Sequence, residues 1–384
     1  MKFAHIADTH IRNLRYHTEY RSVFKQLYES IKEENVDYII HCGDIAHTKT
    51  QISPEFVNMC SEFLSSLADI APTYVILGNH DGNLKNSGRL DAISPIVEAL
   101  EHPDLHLLKN SCEVYLRDGF ALNVLSVFDE ENWQDPTNYD NINIALYHGS
   151  ISNCQTDSGW VMDSGENEIE IFEEFDYAFL GDIHKAQKLD RVGRVRYAGS
   201  TIQQNFGEEV DKGILVWDIQ DANNFTVKQV VFSNPKPFIT IELESGKLPE
   251  VDVPEGSRLR LASAENITLE SMKRAVDIAK HKYSPESLTF LNRNIHSRGD
   301  IEQVVDNIRH DDLRNIVVQR KLIKDFVEGY ELEEATLKKV LDLNDKAVTL
   351  EKAVDIINAV EMEVEVDEER VLVKEEKIDN YDLN

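Results

Sequence analysis

The sequence predicts a mixed α/β protein, with helices and strands alternating early and strands predominating later, followed by a smaller β-α-β unit and a helical, acidic end. Three observations carry this prediction. Short apolar runs at 2–7, 36–42 and 73–77 are separated by segments with apolar residues at helical spacing. Each run stops at a polar cluster of Gly, Asp, Asn or His. Beyond residue 100 the helical spacing gives way to closely spaced strand-like runs.

The first strand, Lys2 to Ala7, ends at Asp8. Glu19 to Glu34 places Val23, Leu27 and Ile31 on one face and reads as helix. Val36 to Cys42 is a strand halted by Gly43-Asp44, Pro54 to Leu67 a helix, and Thr73 to Leu77 a buried strand stopped by Gly78. Asp91 to Leu100 is helical. Strand-like runs follow at 105–108, 113–116, 121–127, 142–147 and 176–180, the last ending at Gly181-Asp182, and 213–219 closes the unit. Two prolines in Asn234-Pro235-Lys236-Pro237 disfavour helix and central strand and mark a linker. Beyond it, strands at 238–243, 259–262 and 287–291 and a helix at 268–280 form the small unit. From Asp311 apolar residues recur at helical spacing, and 361–384 carries ten acidic against three basic residues, a solvated or partner-dependent tail. The expected units are thus 1–234, 235–300, 301–360 and 361–384.

Composition narrows the function. The 384 residues are 41% hydrophobic and 29% charged, which excludes bulk disorder. No run approaches the roughly 18 apolar residues of a membrane span, and the N-terminus reaches Asp8 before a signal-peptide core could form. Four scattered cysteines without a C-x-x-C pair argue against a disulfide framework or zinc ribbon and fit a reducing compartment. The reading is a cytoplasmic protein with no membrane association. A net charge of −30 repels a phosphate backbone, so any nucleic-acid role needs bound metal, a local basic patch or a partner's positive surface.

Five clusters stand at strand ends: Asp8-Thr-His10, Gly43-Asp-Ile-Ala-His47, Gly78-Asn-His-Asp81, His148-Gly149 and Gly181-Asp-Ile-His184. Each alone reads as a turn, because Gly tolerates positive φ and Asp caps local amides. Together they differ, because the carboxyl ends of strands in an open α/β sheet converge on one rim. Carboxylate, imidazole and amide donors without cysteine favour manganese, iron or zinc.

This ordered set resembles the calcineurin-like metallophosphoesterases, and the segments Phe3-Ala-His-Ile-Ala-Asp-Thr-His10, Leu77-Gly-Asn-His-Asp81, Tyr177-Ala-Phe-Leu-Gly-Asp-Ile-His-Lys185 and Arg196-Tyr-Ala-Gly-Ser-Thr201 resemble their DNA-repair branch, the SbcD and Mre-eleven nucleases, including phage recombination-endonuclease subunits. The resemblance implies a β-sandwich flanked by helices, a small cap domain touching DNA, and C-terminal helices. It implies that Asp8, His10, Asp44 and His184 hold one metal and that Asp44, Asn79, His148 and Asp182 hold a second, with manganese the expected ion. His80 would protonate the leaving sugar oxygen and His47 would touch the scissile phosphate. Asp81 would orient His80 or cap the turn. The sequence departs from the branch at Asp182, where a histidine is usual; a carboxylate there shifts preference toward harder ions.

His5 and His41 read as buried structural histidines. The basic residues Arg258, Arg260, Lys273, Arg274, Lys280, Lys282, Arg293 and Arg298 are candidates for a patch on the cap. The resemblance also implies an SbcC-like ABC-type ATPase partner with a coiled coil, gripped through Ile316, Leu322, Ile323, Phe326 and Val327, and a homodimer within a heterotetramer, with Ser53 to Leu67 and Asp91 to Leu100 as candidate interface helices. The function expected is hydrolysis of DNA phosphodiesters at ends, hairpins or single strands. Two other readings stay open: a phosphatase or phosphodiesterase of small substrates, since fold does not fix substrate, and a non-catalytic subunit.

Overall fold

The computed structural model describes residues 1–49, 52–86, 88–265 and 267–292. The expected helical segment, its five docking residues, the acidic tail, Arg293 and Arg298 lie outside these residues.

Strands β1 (Lys2–Ile6), β2 (Tyr38–Cys42), β3 (Thr73–Ile76) and β4 (Leu105–Leu108) run parallel, and β11 (Lys212–Ile219) and β12 (Phe225–Phe232) extend their sheet antiparallel in the order β12-β11-β1-β2-β3-β4. A second sheet has the order β5-β6-β7-β8-β10-β9. Its strands are β5 (Cys112–Tyr115), β6 (Phe120–Leu125), β7 (Ile142–His148), β8 (Tyr177–Gly181), β9 (Gln187–Lys188) and β10 (Val195–Tyr197), of which β6, β7, β8 and β10 are parallel. Phe3, Ile40, Ile76, Leu122, Leu146, Phe179 and Trp217 fill the space between the sheets, the layered core of a sandwich.

The crossovers are helical where the spacing predicts it. Helix α1 (His17–Glu34) turns Val23, Leu27 and Ile31 onto the outer face of the first sheet, beside α2 (Pro54–Ala68) and the short α3 (Ser94–Leu100). Pro54 begins α2 where its missing N–H costs nothing, and Ser53 Oγ accepts from the Phe56 amide at 3.1 Å. Helix α3 starts three residues later than predicted, because Asp91 caps it by accepting from the amides of Ile93 and Ser94.

A three-stranded parallel sheet, β13 (Phe238–Glu242), β14 (Arg258–Ser263) and β15 (Ser287–Asn292), carries α4 (Leu269–Tyr283). Arg258 corrects the basic-patch expectation. It is buried, paired with Glu19 of α1 and with Glu286 at 2.8 Å, and lies 4.2 Å from the Tyr16 ring centroid. Arg260 sits over Phe206, and Lys282 pairs with Glu250. Gln203 clamps β13 by accepting from the Phe238 amide and donating to its carbonyl. Among the described residues no helix is long and apolar enough to cross a membrane.

Candidate metal centre

Five parallel strands deliver the polar clusters to one rim. Asp8 and His10 follow β1, Asp44 and His47 follow β2, Asn79, His80 and Asp81 follow β3, His148 ends β7, and Asp182 and His184 follow β8. The chain turns sharply at each exit. Asp8, His10, Asp44 and Asp182 all have positive φ (50°, 48°, 58° and 100°), a conformation that costs a non-glycine residue about 1 kcal/mol or more and clusters at functional sites. Gly43 (φ 86°) turns the chain after β2, and a Cβ there would lie 2.5 Å from His148 Nδ1, so only glycine lets the two sheets meet at the site.

The side chains converge. His10 Nε2 lies 2.9 Å from His184 Nε2 and 3.5 Å from Asp44 Oδ2. His148 Nε2 is 3.4 Å from Asp44 Oδ1 and 3.9 Å from Asp182 Oδ1, and Asn79 donates to that Asp182 oxygen at 3.1 Å. Asp44 thus touches both halves of the cluster. Donor atoms of Asp8, His10 and His184, and likewise of Asp8, Asp44 and His148, lie within 4.8 Å of one another, as do those of His10, Asp44 and His80. The first and second groups place Asp8 between the halves as well.

Three features fit this donor set to divalent cations. His148 Nδ1 donates to the Cys42 carbonyl at 2.7 Å, which aims Nε2 into the cluster, where it is buried without a hydrogen-bond partner. His184 Nδ1 is held the same way by Glu208 at 2.9 Å. The electrostatics agree: burial opposes charge on His184, but the Glu208 hydrogen bond and then Asp8 draw its pKa up to about 9. Burial in turn holds His10 well below the usual imidazole range, so the two facing ring nitrogens, 2.9 Å apart, differ in their hold on a proton. Burial raises Asp8 to about 7, against the pull of His148 and His184.

Among the described residues no hydrogen bond joins Asp81 to the His80 ring. Its buried carboxylate accepts from the amides of Asp44 (2.8 Å), Ala46 (2.7 Å) and Gly78 (2.9 Å), locking the loops after β2 and β3 together. His80 is exposed, donates through Nδ1 to the His47 carbonyl at 2.9 Å, and stacks edge-on against His10. His47 is half-buried, its ring 6.1 Å from that of His80; burial, then Arg12, lowers its pKa to about 4. His5 is buried and bonds the Leu180 carbonyl, whereas buried His41 bonds the Thr9 hydroxyl at 2.8 Å rather than backbone.

The residue missed in the sequence is Glu208. Besides His184 it accepts from Ser200, the Gln204 amide and Asn205, and lies 3.7 Å from Lys212, itself paired with Asp157 at 2.8 Å. Its only sequence signal is its position shortly after the Gly199-Ser200 segment.

Carboxylates, imidazoles and a carboxamide gathered at the strand-end rim of a two-sheet α/β fold make a candidate divalent-metal site. Residues 1–198 match the calcineurin-like phosphoesterase family, and the chain belongs to it. Over 378 residues, 92% of this chain, it is 32% identical to the uncharacterized protein R555 of Acanthamoeba polyphaga mimivirus, spanning 27% of that protein. Over 322 residues, 80% of this chain, it is 21% identical to the DNA double-strand break repair protein Mre11 of Methanosarcina acetivorans, spanning 50% of it. A dimetal phosphatase from Danio rerio covers 60% of this chain with 98% of its own at 10% identity and a TM-score of 0.33.

Proposed function

We propose that the chain is the nuclease component of an SbcCD-like DNA-processing complex, hydrolysing phosphodiesters of DNA ends, hairpins or single strands in recombination and double-strand-break repair, in the cytoplasm or, for a viral source, the host cytoplasm. The observation that carries the reading is the reach of the similarity to the archaeal repair protein: it spans 322 residues, well beyond the 198 of the phosphoesterase match. A similarity confined to the metal site would fit any phosphoesterase.

Asp8, His10, Asp44 and His184 would hold one cation and Asp44, Asn79, His148 and Asp182 the other. Two divalent ions, manganese in this proposal, neutralise a bound diester and activate water in such sites. The protein's own groups do the rest. His80 has its Nδ1 hydrogen committed to the His47 carbonyl, which leaves Nε2 to gain and lose the proton passed to the leaving sugar oxygen. The His47 ring beside it contacts the scissile phosphate. Asp81 fixes the spacing of the two loops that carry Asp44 and Asn79.

The proposal includes an ABC-type ATPase partner bound through Ile316, Leu322, Ile323, Phe326 and Val327, which would supply positive DNA-binding surface to a chain of net charge −30, and a homodimer within that heterotetramer.

The test is manganese-dependent cleavage of end-labelled single-stranded and hairpin DNA beside a generic phosphodiester, for wild type and His80→Ala. The reading expects DNA cleavage that falls by about 10²- to 10⁴-fold in the variant, the usual worth of a positioned acid. Wild-type cleavage of the generic ester alone, with the ATPase present, would replace it with the small-substrate reading.

A further inference from the structure

We propose that Trp160, on a turn tied to the loop that carries His184, is a nucleobase-stacking platform; the inference rests on the nucleic-acid reading above. Trp160 is 59% exposed, so much of its large apolar ring forgoes the stabilisation that burial would bring. Its backbone is nevertheless fixed. The Thr156 amide donates to the Trp160 carbonyl at 2.9 Å, the Gly159 amide donates to the Thr156 carbonyl at 2.9 Å, and Gln155 and Val161 pair antiparallel, so residues 155–161 form a closed turn.

Two ties hold that turn against the loops of the site. Asp157 pairs with Lys212 at 2.8 Å, both side chains 5% exposed, and the same ammonium donates to the His184 carbonyl at 2.8 Å. The Gln155 amide donates to Gln187 Oε1 at 2.9 Å, and Gln187 Nε2 returns a bond to the Gln155 carbonyl at 2.7 Å. Burying an ion pair carries a desolvation penalty, and here it anchors to the His184 loop a turn that carries a largely exposed aromatic ring.

The chemistry favours a base as the occupant. A diester phosphate seated among the clustered ligands leaves its flanking sugars and bases outside. The net charge of −30 repels the flanking phosphates, and Lys185, next to His184, is already engaged by Glu209 at 3.2 Å. Contacts that do not depend on charge would then add to this chain's own affinity for the flanking strand. A base stacked on an aromatic ring contributes about 1–3 kcal/mol, with little preference for sequence.

The experiment compares wild type, Trp160→Ala, Trp160→Phe and Trp160→Leu for manganese-dependent cleavage of an end-labelled oligothymidylate, an abasic strand of the same length, and bis(p-nitrophenyl) phosphate, the first across a salt series. We expect Trp160→Ala and Trp160→Leu to raise KM for oligothymidylate about 5- to 100-fold with kcat little changed, and Trp160→Phe to retain most of the affinity. The salt slope, the abasic strand and the small ester should not respond, the last showing that each variant is folded. Wild-type KM for oligothymidylate retained in Trp160→Ala, or an equal loss on the abasic strand, overturns the platform while the nuclease reading stands. Wild-type turnover of the small ester with no cleavage of either strand, with the ATPase present, overturns both.

Discussion

At the scale of single residues, Glu208 shows how a candidate metal centre depends on groups that hold its donors from behind. A histidine ligand binds well only when its other nitrogen is held, and Glu208 holds Nδ1 of His184 while four other groups fix the carboxylate itself. Removing it frees the His184 ring to rotate and leaves its Nδ1 hydrogen without a partner. Glu208→Ala should weaken manganese binding about 10- to 100-fold by calorimetry, with Glu208→Gln, which still accepts a hydrogen bond, in between. Equal affinity in all three proteins would remove Glu208 from this role. Asp182, a carboxylate where the resembling branch carries imidazole, sits in direct contact with Asn79 and near His148.

At the scale of elements, the small three-stranded unit is joined to the phosphoesterase sheets by a buried ion pair, a glutamine clamp and packing of Arg258 on Tyr16 and Arg260 on Phe206. Glu19 is 4% exposed and Arg258 8%, so truncating the arginine strands a carboxylate out of water. Arg258→Ala should lower unfolding free energy by about 3–5 kcal/mol in urea, and the double variant Arg258→Ala with Glu19→Ala should recover part of that loss, because no unpaired charge remains. A single variant within experimental error of wild type would show that solvent already screens the pair. The same elements explain what the sequence could reveal. The strand-end clusters were legible because each binds its ligands within three or four residues of a strand that apolar runs and Gly already marked. Strand β12 was not, because its Phe-Thr-Val-Lys-Gln-Val-Val-Phe run lies largely exposed at a sheet edge and lacks a continuous apolar signal. The two-residue β9 and three-residue β10 are too short to show a period. Glu208, Lys212 and Asp157 form a network across 55 positions of sequence, and beyond the place of Glu208 shortly after Gly199-Ser200 nothing local marks them as belonging to the site. The role of Arg258 was misread for the same reason: a cation in a strand looks solvated until its partner in α1, 239 residues away, is in place.

At the scale of the whole molecule, charge and site pull in opposite directions. The chain carries 70 acidic against 40 basic residues, so its long-range field repels DNA, while the cluster at the strand ends is built to gather cations and, through them, phosphate. The repulsion acts over distances comparable with the Debye length, about 30 Å at 0.01 M salt and 8 Å at physiological ionic strength. The attraction acts only at contact. For the isolated chain loaded with manganese, the association rate with single-stranded DNA should therefore rise as salt is added from low ionic strength, the reverse of a basic nucleic-acid-binding protein, whose steering is lost on screening. Stopped-flow fluorescence with a labelled strand across a salt series reads this directly. Association that slows with salt would show that a local positive surface dominates the approach, and the need for a partner to supply one would disappear. Association that accelerates with salt, and becomes fast at low salt once the ATPase is added, would place the steering surface on that partner and leave this chain the chemistry.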